Sequence, residues 1–342
     1  MITISLCMIV KNEEAVLRRC LDSLKSIVDE MIIVDTGSTD RTKEIAREYT
    51  EKVYDFEWID DFSAARNASF EKACCDYIYV ADADEVLDEE NQQEFLKLKR
   101  VLLPEIDIVQ MLYCNQLENG TTYNFDEEYR PKLYKRLRTF RWEEPVHEAV
   151  RLEPVVFDSD IRIQHKPLAP HGGRDIAIFE KQLAKGVSLS ARLNNMYARE
   201  LLMTGTKEQF QKAEPYFKAI AEDGSHSIDE VREAFSILCR TYRLEGKTVP
   251  FLQNALKAVA DEPSSEVLCE LGDYYLDEEK NLEEAAMWYY NAAFESQPIL
   301  SIRSGRQYPL SQLAKICRQQ GEEKAARDYE KLLSDEVLPA SE

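Results

Sequence analysis

The chain has little of what marks several large classes of protein. Its eight cysteines include no CxxC pair, so neither a zinc site of paired cysteines nor a thiol redox motif is indicated. Cys7, Cys239, Cys269 and Cys317 lie in apolar runs and read as reduced core residues, and the adjacent Cys74 and Cys75 read as packing. No apolar stretch approaches the ~20 residues that cross a bilayer. The chain opens as a strand without a charged leader or cleavage site, so no signal peptide is expected. Positive charge is scarce: 43 Lys and Arg against 64 Asp and Glu leave a formal net charge of −21. Such a surface repels nucleic acid and favours solubility. These absences predict a cytoplasmic protein with no transmembrane segment. At 342 residues there is length for two domains, each with a core.

What is present begins with strands. Residues 2–10 (ITISLCMIV) alternate and then turn wholly apolar, and residues 15–24 keep helical spacing through Val16, Leu17, Cys20, Leu21 and Leu24. Residues 31–34 (MIIV) predict a second buried strand, followed by the polar loop DTGSTD at 35–40 and a helix containing Ile45 and Ala46. Residues 76–80 (DYIYV) predict a further strand that leads into Ala81-Asp82-Ala83-Asp84-Glu85. Strand, loop and helix in alternation predict a parallel sheet covered by helices, whose ligands gather outside the C-terminal strand ends. Residues 11–13, 35–40 and 82–85 all fall at such ends. Alternation along an extended chain would point Asp82 and Asp84 the same way. Two oxygen ligands at that spacing suit a hard divalent cation, and such a cation suits a diphosphate. The plain alternative is a solvated acidic turn.

CMIVKNE at 7–13, IVDTGSTD at 33–40 and ADAD at 81–84 resemble the nucleotide-sugar site of inverting family two glycosyltransferases. WIDDFSAARN at 58–67 resembles a narrower branch, that of the sublancin S-glycosyltransferases, in which tetratricopeptide-like helices follow the catalytic domain. The resemblance implies an α/β, Rossmann-like GT-A domain that binds a nucleotide-sugar donor with Mn²⁺ or Mg²⁺. It implies donor contacts from Val10, Asn12, Glu13, Asp35, Arg66, Asp82 and Arg130, with Asp35 at the nucleobase, Asp82 on the ribose side and Asp84 on the metal. For Asp35 the alternative is a helix cap at a Gly turn. WEEPVHE at 142–148 resembles the branch's Val-His-Glu element, which makes Glu148 the candidate base and His147 its neighbour in proton handling. The branch carries a Gly shortly before this element, where Glu144-Pro145 stands here. The basic run RPKLYKRLR at 130–138 resembles an Arg-rich strand suited to phosphate. IRIQH at 161–165 resembles a last strand ending in a metal-ligand His, which points to His165, with His171 as its rival.

Beyond residue 172 the pattern turns helical. LGDYY at 271–275, with Ala285, Tyr289, Ala292 and Pro298, follows the tetratricopeptide pattern, and Leu313, Ala314, Cys317, Gly321, Ala326 and Tyr329 suggest a second unit. Residues 1–172 are thus expected as the catalytic domain, 173–194 as a connecting helix and 195–342 as an all-α repeat domain. Such repeats offer a groove for a peptide or a face for a homodimer. The expected activity is metal-dependent, inverting transfer of a hexose from a UDP-sugar to a peptide, protein or cell-envelope glycan. The alternative is a non-catalytic repeat adaptor with a degenerate nucleotide-sugar domain. A nucleotidyltransferase would need a Gly-rich phosphate loop near the N-terminus, which is missing.

Overall fold

A computed structural model describes residues 1–114, 127–150, 153–167, 173–260 and 262–334. The chain divides into two compact units, Met1–His171 and Gly172–Glu342. Among the described residues no helix is long and apolar enough to cross a membrane.

In the first unit the elements run β1 (Ile4–Val10), α1 (Leu17–Leu24), β2 (Glu30–Asp35), α2 (Thr42–Arg47), β3 (Val53–Asp55), α3 (Phe62–Phe70) and β4 (Tyr77–Val80). They continue with β5 (Glu85–Val86), α4 (Glu89–Val101), β6 (Ile108–Cys114), β7 (Glu128–Lys135), β8 (Trp142–Glu143), β9 (Ala149–Val150) and β10 (Val156–His165). Eight strands form one sheet in the order β3-β2-β1-β4-β7-β6-β10-β5. β1 to β4 are mutually parallel, β7 runs antiparallel to both neighbours, and β5 closes antiparallel on β10. The period-two alternation of side chains divides the core between two faces. Ile4, Leu6, Met8, Ile33, Tyr77 and Tyr79 join Leu17, Leu21 and Phe95 on one face. Cys7, Ile32, Ile78 and Val80 join Tyr134 and Trp142 on the other. Each fully buried Leu or Met contributes roughly 1.5–3 kcal/mol, which is why the central strands read as unbroken apolar runs. Between Val109 and Gln110 the pairing of β6 with β7 shifts, leaving Lys132 as the extra residue of a bulge.

The second unit is helical: α5 (Arg174–Ala184), α6 (Ala191–Thr204), α7 (Lys207–Glu222), α8 (Ile228–Glu245), α9 (Thr248–Val259), α10 (Ser265–Asp277), α11 (Leu282–Phe294), α12 (Ile302–Gly305), α13 (Gln307–Gln319) and α14 (Glu323–Ser334). Ser190, Thr206, Ser227, Ser264 and Asn281 each cap a helix N-terminus with a side-chain oxygen. Helix α10 pairs with α11 through Gly272, where a Cβ would stand 2.6 Å from the Tyr289 ring. This is the close approach that the tetratricopeptide pattern exploits. Residues 173–194 are not one helix as expected. α5 ends at Ala184, Gly186 adopts a left-handed φ of 76°, and Ser190 starts α6. The apolar spacing carried on to Leu189 hides that break. Six cysteines are buried, including Cys7, Cys239, Cys269 and Cys317, but Cys74 is exposed. Its backbone N–H is bonded to Glu30, so the backbone rather than the thiol does the packing there.

Candidate active site

The loops after β1, β2 and β4 meet at one edge of the sheet. The Val10 carbonyl accepts the Thr36 N–H at 2.9 Å. Asn12, with φ 56°, donates its N–H to Ser38 Oγ at 2.9 Å and accepts the Thr39 N–H on Oδ1 at 2.8 Å. The Glu13 N–H reaches Thr42 Oγ1 at 2.7 Å. These three residues therefore fasten the first loop to the second. Asp35 is 1 % exposed and divides its carboxylate between two roles. Oδ1 accepts the N–H groups of Gly37 and Ser38 at 3.0 and 2.9 Å, while Oδ2 is buried with no partner. Gly37 sits at φ 100°, which only glycine adopts without strain.

After Val80 the chain leaves the strand, so alternation does not set the directions of Asp82 and Asp84. A turn does, closed by the Glu85 N–H to the Asp82 carbonyl at 3.1 Å. The two carboxylates take different partners: Asp82 Oδ1 accepts from Arg66 at 3.1 Å, and Asp84 Oδ2 lies 3.2 Å from His165 Nε2. Desolvation pushes the Asp82 carboxyl upward, but Arg66 and Lys132 hold it below the ordinary range. The antiparallel register of β5 and β10, with Glu85 opposite His165, brings that imidazole to the turn. His171 lies outside the described residues. Glu85 and Lys132 form a buried ion pair beneath the turn. Burial pushes the Glu85 carboxyl up to about 7 despite Lys132, and its Oε2 has no partner. Arg130 lies over the Tyr113 ring at 3.9 Å and donates to Glu128, while the Tyr113 ring packs 5.3 Å from that of His165.

The candidate base, Glu148, stands just before β9 and is held by α3. Asp60 turns the chain at φ 61°, and Asp61 caps the helix by accepting the Ala64 N–H at 3.0 Å. Within that helix Arg66 donates through Nε to Glu148 and through a terminal nitrogen to Asp82, with its guanidinium 5.3 Å from the Trp142 ring centre. Burial alone would lower the Arg66 pKa, but the two carboxylates outweigh it and keep the cation charged. Glu144 adopts φ 73° and His147 φ 48°. A left-handed backbone thus falls on a glutamate in the Glu144-Pro145 segment. Arg66, Asp82 and Glu148 form one ion chain, and Asp84 with His165 forms a second pair on the same turn. A carboxylate and an imidazole side by side are a donor set that fits Mn²⁺ or Mg²⁺, the imidazole favouring the former. Lys132, Glu85, Tyr113 and Asn67 were not singled out from sequence. The buried Lys132 had a signal in the basic run, and Asn67 closes the WIDDFSAARN motif.

Residues 5–151 match the model of glycosyl transferase family 2. A TPR repeat-containing protein of Synechococcus elongatus is 40% identical over 151 residues, covering 44% of this chain and 36% of that protein. The SPbeta prophage-derived glycosyltransferase SunS of Bacillus subtilis is 34% identical over 165 residues, covering 46% of this chain and 36% of that protein. The chain therefore matches little more than a third of the length of these curated relatives. Glucosyl-3-phosphoglycerate synthase of Mycobacterium tuberculosis, solved with Mn²⁺ and uridine-diphosphate-glucose, aligns over 55% of this chain and 81% of its own at 17% identity and TM-score 0.40. The likeness to glycosyl transferase family 2 thus lies in the α/β unit of this chain, over residues 5–151.

Proposed function

We propose that the protein is a metal-dependent glycosyltransferase that moves a hexose from a UDP-sugar to a peptide, protein or cell-envelope glycan with inversion at the anomeric carbon. The ion chain from Asp82 through Arg66 to Glu148 carries this reading, because it joins a donor-side carboxylate to an acceptor-side one. The open Oδ2 of Asp35 suits an N–H of the nucleobase, and Asp82 suits the ribose side. Val10, Asn12 and Glu13 shape the donor cleft, and Arg66 and Arg130 offer guanidinium N–H donors on the donor side. Asp84 and His165 would hold the cation, which when bound supplies a Lewis acid for the leaving diphosphate. Glu148 accepts the acceptor's proton as its oxygen or sulfur bonds to the anomeric carbon and the bond from that carbon to the diphosphate oxygen breaks. His147 flanks this base. The helical unit selects the acceptor or holds a second copy of the chain. The SunS relative, named as a glycosyltransferase, supports the class of activity.

Glu148→Gln tests the reading, since it removes the base and preserves shape. UDP affinity in Mn²⁺ should persist, while UDP release from UDP-glucose falls by on the order of a hundredfold. Release at the parent rate would contradict the assignment of Glu148.

A further inference from the structure

Asn67 has no role in the chemistry above, yet the structure gives its side chain an unusual partner. Its Oδ1 accepts the N–H of Trp142 at 2.9 Å and its Nδ2 donates to the carbonyl of the same residue at 3.0 Å. Asparagine and glutamine alone offer a neutral donor and acceptor side by side, so the amide can mate with one peptide unit as a neighbouring strand would. Trp142 opens the small hairpin of β8 and β9, which pairs Trp142 with Val150 and Glu143 with Ala149. Glu148 stands at the foot of the returning strand. The loop between the strands contains two left-handed residues, Glu144 and His147, so the hairpin itself is a weak support.

Helix α3 grips this hairpin at three places. The Phe62 N–H donates to the Pro145 carbonyl at 2.9 Å, Asn67 clamps Trp142, and Arg66 holds the Glu148 carboxylate. The clamp also fixes the Trp142 ring against which the Arg66 guanidinium lies. We infer that Asn67 is a positioning residue of the transfer reaction: by pairing with the Trp142 backbone it sets where Glu148 stands relative to the donor. This rests on Glu148 being the base. A displacement of about 1 Å at a reacting group costs up to on the order of a hundredfold in rate, so a clamp on the backbone that carries the base has that much effect within its reach.

Asn67→Asp keeps the volume and the acceptor but turns a second oxygen toward the Trp142 carbonyl. UDP release from UDP-glucose in Mn²⁺, with water as acceptor, should fall by on the order of ten- to a hundredfold in kcat. KM for UDP-glucose and the calorimetric affinity for UDP should stay within about threefold. Asn67→Gln keeps both hydrogen-bonding groups and should turn over severalfold faster than Asn67→Asp; equal impairment of the two would overturn the inference. The decisive comparison is the double variant. Added to Glu148→Gln, Asn67→Asp should cost less than about threefold, because the group it positions is already gone. A double variant slower by the product of the two single effects would overturn the role of Asn67 alone. Parent-level turnover in Glu148→Gln, or no UDP release by the parent, would overturn the reading beneath it and this inference with it.

Discussion

Glu144 holds a backbone angle that L-residues avoid, at a cost of roughly 1–2 kcal/mol. The hydrogen bond from Phe62 to the next residue's carbonyl and the β8–β9 pairing keep it there. Comparing Glu144→Gly with Glu144→Ala isolates this strain, because both lose the same side chain. The Gly variant should be the more stable by about 1 kcal/mol in denaturant unfolding; an Ala variant of equal or greater stability would show that the backbone is not strained. Asp35 presents the opposite case, a side chain whose two oxygens have different environments. Its bonded oxygen secures the Gly37 turn, and the other remains available to a ligand at no cost to that turn. The two uses read from the sequence, turn cap and nucleobase contact, are therefore compatible in one residue.

Helix α8 carries two glutamates whose surroundings shift them in opposite senses. Burial alone would raise Glu230, but the Ser227 N–H and hydroxyl, the Asn194 amide and His226 hold it down at about 2, below its ordinary value of 4.5. A folded value below the unfolded one means stability that is present above pH 4.5 and lost as pH falls towards 2. Glu233 is pushed up to about 7 by burial, against Asn195 and Arg199. Its contribution is present below pH 4.5 and lost as pH rises through 7. The Tm advantage of the parent over Glu230→Gln should therefore shrink from pH 5 to pH 3, whereas Glu233→Gln should gain on the parent from pH 5 to pH 8. Differences independent of pH would contradict both assignments. At this same scale the sequence was readable where an element is long and uniform. The apolar runs at 4–10, 32–34 and 77–80 could hardly be anything but buried strands, and the small residues of α10 and α11 forecast their close pairing. Short or discontinuous elements escaped. β5, β8 and β9 have two residues each and no periodicity to read, and the break after α5 lies inside a continuing apolar pattern. The partnership of Arg66 with Glu148 spans 82 positions and depends on that unreadable hairpin, so the motifs marked both residues as candidates but not that they touch.

A chain of net charge −21 has a particular difficulty in binding a diphosphate. The cations around the site do not remove it, since each is paired with a carboxylate: Arg66 with Asp82 and Glu148, Arg130 with Glu128, and Lys132 with Glu85. In the proposed function, a divalent cation held by Asp84 and His165 would supply charge that these pairs do not, and would tie donor binding to metal. Calorimetric titration of UDP into the full chain, with and without Mn²⁺, beside the Asp84→Asn variant, tests this directly. UDP should bind the parent on the order of tenfold or more tightly in Mn²⁺ than without it, and Asp84→Asn should abolish that gain while its Tm without ligand stays near the parent's. Equal UDP affinity with and without Mn²⁺, or an undiminished gain in the variant, would contradict the account.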